Sequence, residues 1–123
     1  MEMIRVFVYG SLLSGLHNHQ AFLGSCKKLA DAEIYGEMFS LGSFPAVISG
    51  KDVIKGEVYL LSPEQVKRLD FLESHPMWYR RTRVDSTVGE VQTYLYVDEE
   101  ELIEYPRVNS GDWRAYLESK NVY

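Results

Sequence analysis

The sequence has a single cysteine, Cys26, among 123 residues, so it cannot form an internal disulfide bond. Disulfides persist mainly in oxidising compartments, and their absence is typical of proteins that work in a reducing cytosol. We therefore expect a cytoplasmic protein. Cys26 lies between Ser25 and Lys27, and the sequence shows none of the surroundings that activate a thiol. An ordinary small residue is expected at this position rather than a nucleophile.

Basic residues are also few, with 13 Lys and Arg against 18 Asp and Glu and a formal net charge of -5. Because affinity for nucleic acids rests mainly on neutralising phosphates, we expect no nucleic-acid partner. Long apolar runs are missing as well, since none approaches the roughly 20 residues that cross a bilayer. Residues 1–10 carry Glu2 and Arg5 and are too short for a signal peptide, so no membrane partner is expected.

What the sequence does contain is enough apolar surface for one core. Apolar residues make up 46% of the chain and aromatic residues 13%, which argues against disorder. A chain of this length typically forms one domain and buries roughly two thirds of its unfolded surface. We therefore expect residues 1–123 to form a single domain.

Strand patterns outnumber helical patterns along the chain. The predicted strands are residues 4–9, 29–41, 46–48, 53–61, 79–85 and 90–97, with residues 49–52 as a tight connection. The predicted helices are residues 17–23, 62–74 and 112–117. Strands that come both in pairs and around the helices indicate an α+β fold with a mixed, strongly curved sheet.

The clearest helix has a complete start signal. Ser62 is a favourable N-cap, Pro63 suits the first helical position, and Gln65 follows the cap by three residues. The residue before a proline avoids helical dihedrals, so this helix should end before Pro76.

Glu73 interrupts the apolar face of this helix. At about 100° per residue, Glu73 falls in the same narrow arc as Val66 and Leu69, where an apolar residue is expected. It also lies near the helix C-terminus, where the macrodipole disfavours negative charge. Burial and the dipole should both raise its pKa toward neutrality, which suits a general base working near pH 7.

A structural explanation of Glu73 stays open from the helix alone. Its carboxylate can instead pair with Arg80, Arg81 or Arg83 and anchor the strand that follows. Asp70 falls at the edge of the apolar face, and a solvated side chain is expected there.

A second candidate feature is the loop at residues 9–15, where a strand runs directly into Gly10 and Ser11. Such a turn can aim successive backbone N–H groups at one point and bind an anion. The loop is not a P-loop, since no Gly-Lys-Ser/Thr follows it. It is not a nucleophile elbow either, since Gly-x-Ser-x-Gly is absent.

The three histidines, His17, His19 and His75, do not form a metal-binding pattern. His17 and His19 are two residues apart and would point to different faces of a helix. No further cluster of ligands accompanies them. We therefore expect no metal and structural or surface roles for the histidines.

Taken together, the segments resemble the γ-glutamyl cyclotransferase-like family, nearest its γ-glutamylamine cyclotransferase branch. The matching segments are residues 6–12 (VFVYGSL) with Gly15, Asn18 and His19; residues 42–47 (GSFPAV); residues 56–59 (GEVY) and 69–73 (LDFLE) with Tyr79 and Arg81; and residues 111–113 (GDW). They follow the family's order over nearly the whole chain. The resemblance implies a small barrel-like mixed sheet with flanking short helices.

The resemblance also implies a reaction and a site. Tyr9, Gly10, Ser11 and Leu12 correspond to the loop that cradles the γ-glutamyl group, and Glu73 corresponds to the proton acceptor. The substrate's α-amine would attack its own γ-carbonyl, forming 5-oxoproline and releasing an amine or amino acid. This acyl transfer implies a small-molecule γ-glutamyl substrate and no cofactor.

Two other readings of the sequence stay open. A binding module for a small metabolite would keep the loop but could dispense with the inward glutamate. A different amide-cleaving or acyl-transfer enzyme would use Ser11 or Cys26 as its nucleophile. Phe44, Tyr79 and Trp113 are candidates for pocket walls, and each is as well suited to the core.

Overall fold

Five strands form one mixed sheet in the computed structural model, which describes residues 2–120. Met1 and residues 121–123 of the predicted domain 1–123 lie outside the described residues. The strands are β1 (Ile4–Val8), β2 (Lys27–Ser40), β3 (Pro45–Leu61), β4 (Tyr79–Ser86) and β5 (Gly89–Tyr96). Their order across the sheet is β2-β3-β1-β5-β4. β1 and β5 are parallel, and the other neighbouring pairs are antiparallel.

β1 lies at the centre of the sheet because it is apolar on both faces. Val6, Phe7 and Val8 are consecutive and all buried, as expected of a strand that is covered on two sides. The loop that starts at Tyr9 therefore follows directly on the central strand of the sheet.

β3 differs from the prediction of two short strands joined by a turn. It is one continuous strand, and residues 49–51 bulge where its pairing with β2 shifts after Gly36. Glycine is needed in both strands at the bulge. A Cβ on Gly36 would lie 2.8 Å from the carbonyl oxygen of Ile48, and one on Gly50 would lie 2.5 Å from the Glu37 side chain. The residues around Gly50, which were predicted to form a turn, therefore form a β-bulge.

Three short helices flank the sheet: α1 (His19–Leu23), α2 (Pro63–Leu72) and α3 (Trp113–Lys120). A 3-10 helix spans Glu101–Glu104. The predicted capping box of α2 is present, since the Ser62 hydroxyl accepts from the Gln65 N–H and the Gln65 side chain accepts from the Ser62 N–H. None of the helices in the described part of the chain is long and apolar enough to cross a membrane.

The sheet is strongly curved, and its two edges meet at one point. The N–H of Thr87, in the turn between β4 and β5, donates to the carbonyl oxygen of Glu33 in β2 at 3.0 Å. The Glu33 N–H in turn donates to the Thr87 hydroxyl at 3.0 Å. The predicted α+β fold with a curved, barrel-like mixed sheet and short helices is thus confirmed.

Candidate active site

A cavity of about 530 Å³ opens where the carboxyl end of β1 meets the end of α2. Two sequence-predicted features lie together on its wall: residues 9–12 and Glu73. The rest of the lining is largely aromatic and includes Phe44, Trp78, Tyr79, Tyr94, Tyr96 and Tyr105. The cavity therefore combines an apolar, ring-lined wall with few polar groups, which is typical of small-molecule sites.

Glu73 is the C-cap residue of α2, and its N–H donates to the Leu69 carbonyl at 2.9 Å. The side chain lines the cavity beside the buried face of the helix. Among residues 2–120 its carboxylate has no hydrogen-bond donor and no ion-pair partner. Burial raises the pKa of Glu73 to about 7, because nothing compensates the charged form for its lost hydration.

Arg81, one of the three arginines that could neutralise Glu73, is held by Asp70 instead. Arg81 Nε lies 2.9 Å from Asp70 Oδ1, and Arg81 Nη2 lies 3.1 Å from Asp70 Oδ2. The Tyr94 hydroxyl donates to the same carboxylate at 2.6 Å. The expectation of a solvated Asp70 was therefore wrong. The ion-pair reading of Glu73 is wrong too, because over residues 2–120 neither Arg80 nor Arg83 pairs with Glu73, and the bidentate pair with Asp70 holds Arg81.

Gly10 allows the loop to pack tightly against Pro45, the first residue of β3. A Cβ on Gly10 would lie 2.9 Å from the Pro45 ring, closer than such contacts permit. Tyr9, just before it, donates its hydroxyl proton to the Tyr94 carbonyl. Burial raises the pKa of this hydroxyl well above its usual range, and the charges of Tyr79 and Glu73 raise it further. Tyr9 thus links the loop to β5, whose Tyr94 and Tyr96 also line the cavity.

The loop that lines the cavity contains three backbone donors without a partner in the described chain. Within the described chain, the N–H groups of Gly10, Ser11 and Leu12 have no hydrogen-bond acceptor. The Ser11 hydroxyl accepts from the Asn18 side-chain amide at 2.8 Å, and the Ser11 carbonyl accepts the Asn18 N–H at 3.1 Å. Asn18 therefore fixes the loop while leaving the three N–H groups available for an anion or oxyanion.

Glu57, which the sequence analysis did not single out, holds the other end of this loop. Its buried carboxylate accepts from the N–H and the hydroxyl of Ser14, each at 2.9 Å, and from the Tyr59 hydroxyl at 2.9 Å. Arg114 of α3 lies 3.4 Å from the carboxylate and donates to the Ser14 carbonyl at 2.6 Å. The available signal was a charged residue directly before the apolar run at residues 58–61, because a charge that is buried with such a run requires partners.

Two of the three candidate wall residues line the cavity. Phe44 and Tyr79 do so, and the Tyr79 hydroxyl donates to the Pro45 carbonyl at 2.8 Å. Trp113 instead belongs to the core, where it is 1% exposed and stacks on Tyr116. Trp113, the tryptophan of the GDW segment, therefore packs α3 against the core and does not line the cavity.

The histidines and the cysteine have mainly structural contacts. His19 Nδ1 lies 2.9 Å from the Leu12 carbonyl, His75 Nδ1 accepts the Arg81 N–H at 3.0 Å, and His17 lies at the edge of the cavity. Burial raises the pKa of the Cys26 thiol, the opposite of what an activated nucleophile needs. Over residues 2–120, no three His, Cys, Asp or Glu side chains are grouped as metal ligands.

With the fold and the cavity described, comparison with known families places the chain in a class. The sequence profile of the family described as "Gamma-glutamyl cyclotransferase, AIG2-like" matches residues 6–115. The chain belongs to this family, as the resemblance of its loop and helix segments indicated. Membership supports a function of the cyclotransferase type.

Individual relatives agree over almost their full length. A Vibrio cholerae protein provisionally named a γ-glutamylcyclotransferase is 34% identical over 110 residues, covering 88% of this chain and 93% of its own. The γ-glutamylcyclotransferase family protein YtfP of Escherichia coli K12 is 32% identical over 114 residues, covering 89% and 96%. The crystal structure of an uncharacterized Pyrococcus horikoshii protein superposes with a TM-score of 0.77 at 27% identity, covering 95% and 96%.

Proposed function

We propose that this protein is a γ-glutamylamine cyclotransferase that releases 5-oxoproline from a small γ-glutamyl compound. The observation that carries the proposal is the unpaired Glu73 carboxylate, which shares one cavity with the free N–H groups of Gly10, Ser11 and Leu12. The Glu73 carboxylate can accept a proton, and the N–H groups can bind negative charge. An intramolecular amide exchange requires both.

Glu73 would move the proton. At neutral pH the substrate's α-amine is mostly an ammonium ion and has no free electron pair with which to attack. Glu73 takes one proton from it, and the nitrogen then forms a bond to the γ-carbonyl carbon. Glu73 returns this proton to the leaving nitrogen as its bond to that carbon breaks. Glu73 then takes a second proton from the ring nitrogen, which gives the neutral lactam, and the released amine takes up that proton as an ammonium ion. A carboxylate with a pKa of about 7 can both accept and return this proton near neutrality.

The loop would bind the substrate in a folded shape. The extended glutamyl chain has to bend until its amine faces its own carbonyl, and holding reacting atoms in such a geometry can supply several kcal/mol of barrier reduction. The N–H groups of residues 10–12 are suited to grip the α-carboxylate or to stabilise the oxyanion that develops on the carbonyl. The tyrosine-rich wall would exclude water, which favours ring closure over hydrolysis.

Substitution of Glu73 by Gln tests this role. The variant keeps the shape of the side chain and removes its basicity, so we expect release of 5-oxoproline to fall by about 10² to 10⁴-fold. In the wild-type protein, kcat/KM should rise with pH through an apparent pKa near 7. Products from a panel of γ-glutamyl compounds would be identified by mass spectrometry.

Glu64, an exposed residue in the first turn of α2, provides the matched control. Glu64→Gln should leave turnover within about twofold, since surface changes of this kind usually have small effects. Near-normal turnover by Glu73→Gln would contradict the proposal. Free glutamate as the product would indicate a hydrolase, and ligand binding without any product would indicate a binding module.

A further inference from the structure

A second carboxylate, Glu101, faces the same cavity from the 3-10 helix and has no part in the proposed proton transfer. Its Oε1 accepts the Tyr96 hydroxyl at 2.6 Å, and its N–H donates to Asp98 at 3.2 Å. In the chain as described, Oε2 has no hydrogen-bond donor. Glu101 therefore offers one fixed and one free acceptor to whatever enters the cavity.

Two tyrosine rings separate Glu101 from Glu73. Tyr79 and Glu73 line the same cavity. Burial raises the pKa of the Tyr79 hydroxyl, and the charge of Glu73 raises it further. The Tyr79 ring meets the Tyr96 ring edge-on at 5.2 Å, and Tyr96 in turn bonds Glu101. A ligand whose reacting atoms lie at Glu73 would thus extend along these rings toward Glu101.

The surroundings of Glu101 are aromatic. Trp78 lies 6.5 Å from Tyr96, and Trp78 and Tyr105 are partly exposed at the cavity rim. Aromatic faces attract cations, and a nearby carboxylate adds to that attraction. Among residues 2–120, no Lys or Arg lines the cavity, so a carboxylate on the leaving group would meet no opposite charge.

We propose that Glu101, with the aromatic rim at Trp78, Tyr96 and Tyr105, forms a subsite for a positively charged group on the leaving amine. This proposal rests on the proposed function and narrows its substrate class. The preferred substrates are γ-glutamyl derivatives of diamines, whose second amino group stays protonated. Glu101 acts on specificity and not on the chemical step.

Three substrates of nearly equal length test the charge preference. They are the γ-glutamyl amides of 1,4-diaminobutane, butylamine and 4-aminobutyrate, which end in an ammonium, a methyl and a carboxylate group. A charge-assisted hydrogen bond should make kcat/KM for the diamine derivative about tenfold higher than for the butylamine derivative, and the 4-aminobutyrate derivative should be the poorest.

Glu101→Gln removes the charge and keeps an acceptor for the Tyr96 hydroxyl, so the fold should be preserved. We expect the tenfold preference of the diamine derivative over the butylamine derivative to fall to about twofold or less, through a loss of kcat/KM for the diamine derivative. The matched control is Glu104→Gln, three residues along and outside the cavity lining, which should keep the preference. Equal use of all three substrates by the wild type, or an unchanged preference in Glu101→Gln, would overturn the subsite.

Binding measurements separate this proposal from the proposed function. Calorimetric titration of the same three compounds into Glu73→Gln reports the charge preference without turnover. If binding shows a preference for the diamine derivative that depends on Glu101 while the wild-type protein forms no 5-oxoproline from any of the three compounds, the subsite is supported and the cyclotransferase is contradicted. Turnover without any charge preference would contradict the subsite alone.

Discussion

Glu57 and Glu73 are the same residue type, both withdrawn from water, but their surroundings are opposite. Glu57 accepts hydrogen bonds from Ser14 and Tyr59 and lies beside Arg114. Glu73 has no donor or cation within the described part of the chain. Desolvation acts on both carboxylates, but the donors around Glu57 hold its pKa below the usual range, whereas burial raises the pKa of Glu73 to about 7.

The difference separates two uses of a buried charge. The ionised form of Glu57 is stabilised, so it can fix the end of the loop at residues 10–14 without changing its protonation near neutrality. Glu73 is left unstabilised, so it can gain or lose a proton at neutral pH. The fold tolerates the unfavourable environment of Glu73 because Glu57, Asp70 and the core hold the surrounding backbone in place.

The largest effect on stability should follow from removing Glu57. In Glu57→Ala, the Ser14 N–H, the Ser14 hydroxyl and the Tyr59 hydroxyl all lose their acceptor, so we expect the free energy of unfolding to fall by about 3 kcal/mol or more. Denaturant titration would measure this loss. Glu90→Ala, an exposed substitution on β5, is the control and should change stability by less than about 0.5 kcal/mol. A loss no greater than the control's would mean that the Glu57 contacts contribute nothing.

Replacing Glu73 should have an intermediate effect on stability of the opposite sign, a gain that depends on pH. Because its pKa is raised in the folded state, the folded protein binds the proton more tightly than the unfolded chain, and this contribution to stability is lost as pH rises from about 4.5 to about 7. Glu73→Gln should therefore be more stable than wild type at pH 8, by about 1 to 3 kcal/mol, and nearly equal to it at pH 4.5.

Denaturant titrations of both proteins across this pH range would measure the difference. Glu57 provides the opposite case, because a lowered pKa contributes stability that is present above its unfolded value and is lost as pH falls further. A Glu73→Gln variant that is less stable than wild type at pH 8 would show that the Glu73 carboxylate has a stabilising partner.

The sequence predicted Glu73 more fully than Glu57 for a physical reason. Glu73 belongs to a helix with a complete capping box, and helical periodicity fixes which face each side chain takes. Its inward direction could therefore be calculated from local spacing. Apart from Tyr59, the partners of Glu57 are far along the chain, since Ser14 is 43 residues away and Arg114 is 57 residues away. Only the sheet pairing and the docking of α3 bring them together.

The same distinction explains the errors in the sequence analysis. The β-bulge at residues 49–51 has the turn chemistry of a hairpin, and the long partner strand that keeps β3 continuous is not visible in local sequence. Asp70 was expected in solvent because the helix wheel gives direction but not the identity of the neighbouring strand. Arg81 and Tyr94 reach Asp70 from β4 and β5, which the tertiary fold alone places beside α2.

The smallest effect should come from Lys28, the second cation near Glu57. Lys28 Nζ lies 3.6 Å from Glu57 Oε2, beyond hydrogen-bond distance, and its side chain is 40% exposed. An ion pair of this kind typically contributes about 0.2 to 1 kcal/mol and weakens as salt screens it. The free energy of unfolding should therefore fall in Lys28→Ala by less than a third of its fall in Glu57→Ala. The loss in Lys28→Ala should be smaller at high salt than at low salt. Equal losses for the two variants would mean that ionic attraction holds Glu57 in place, and the hydrogen bonds to Ser14 and Tyr59 would then be a consequence of its position rather than the cause.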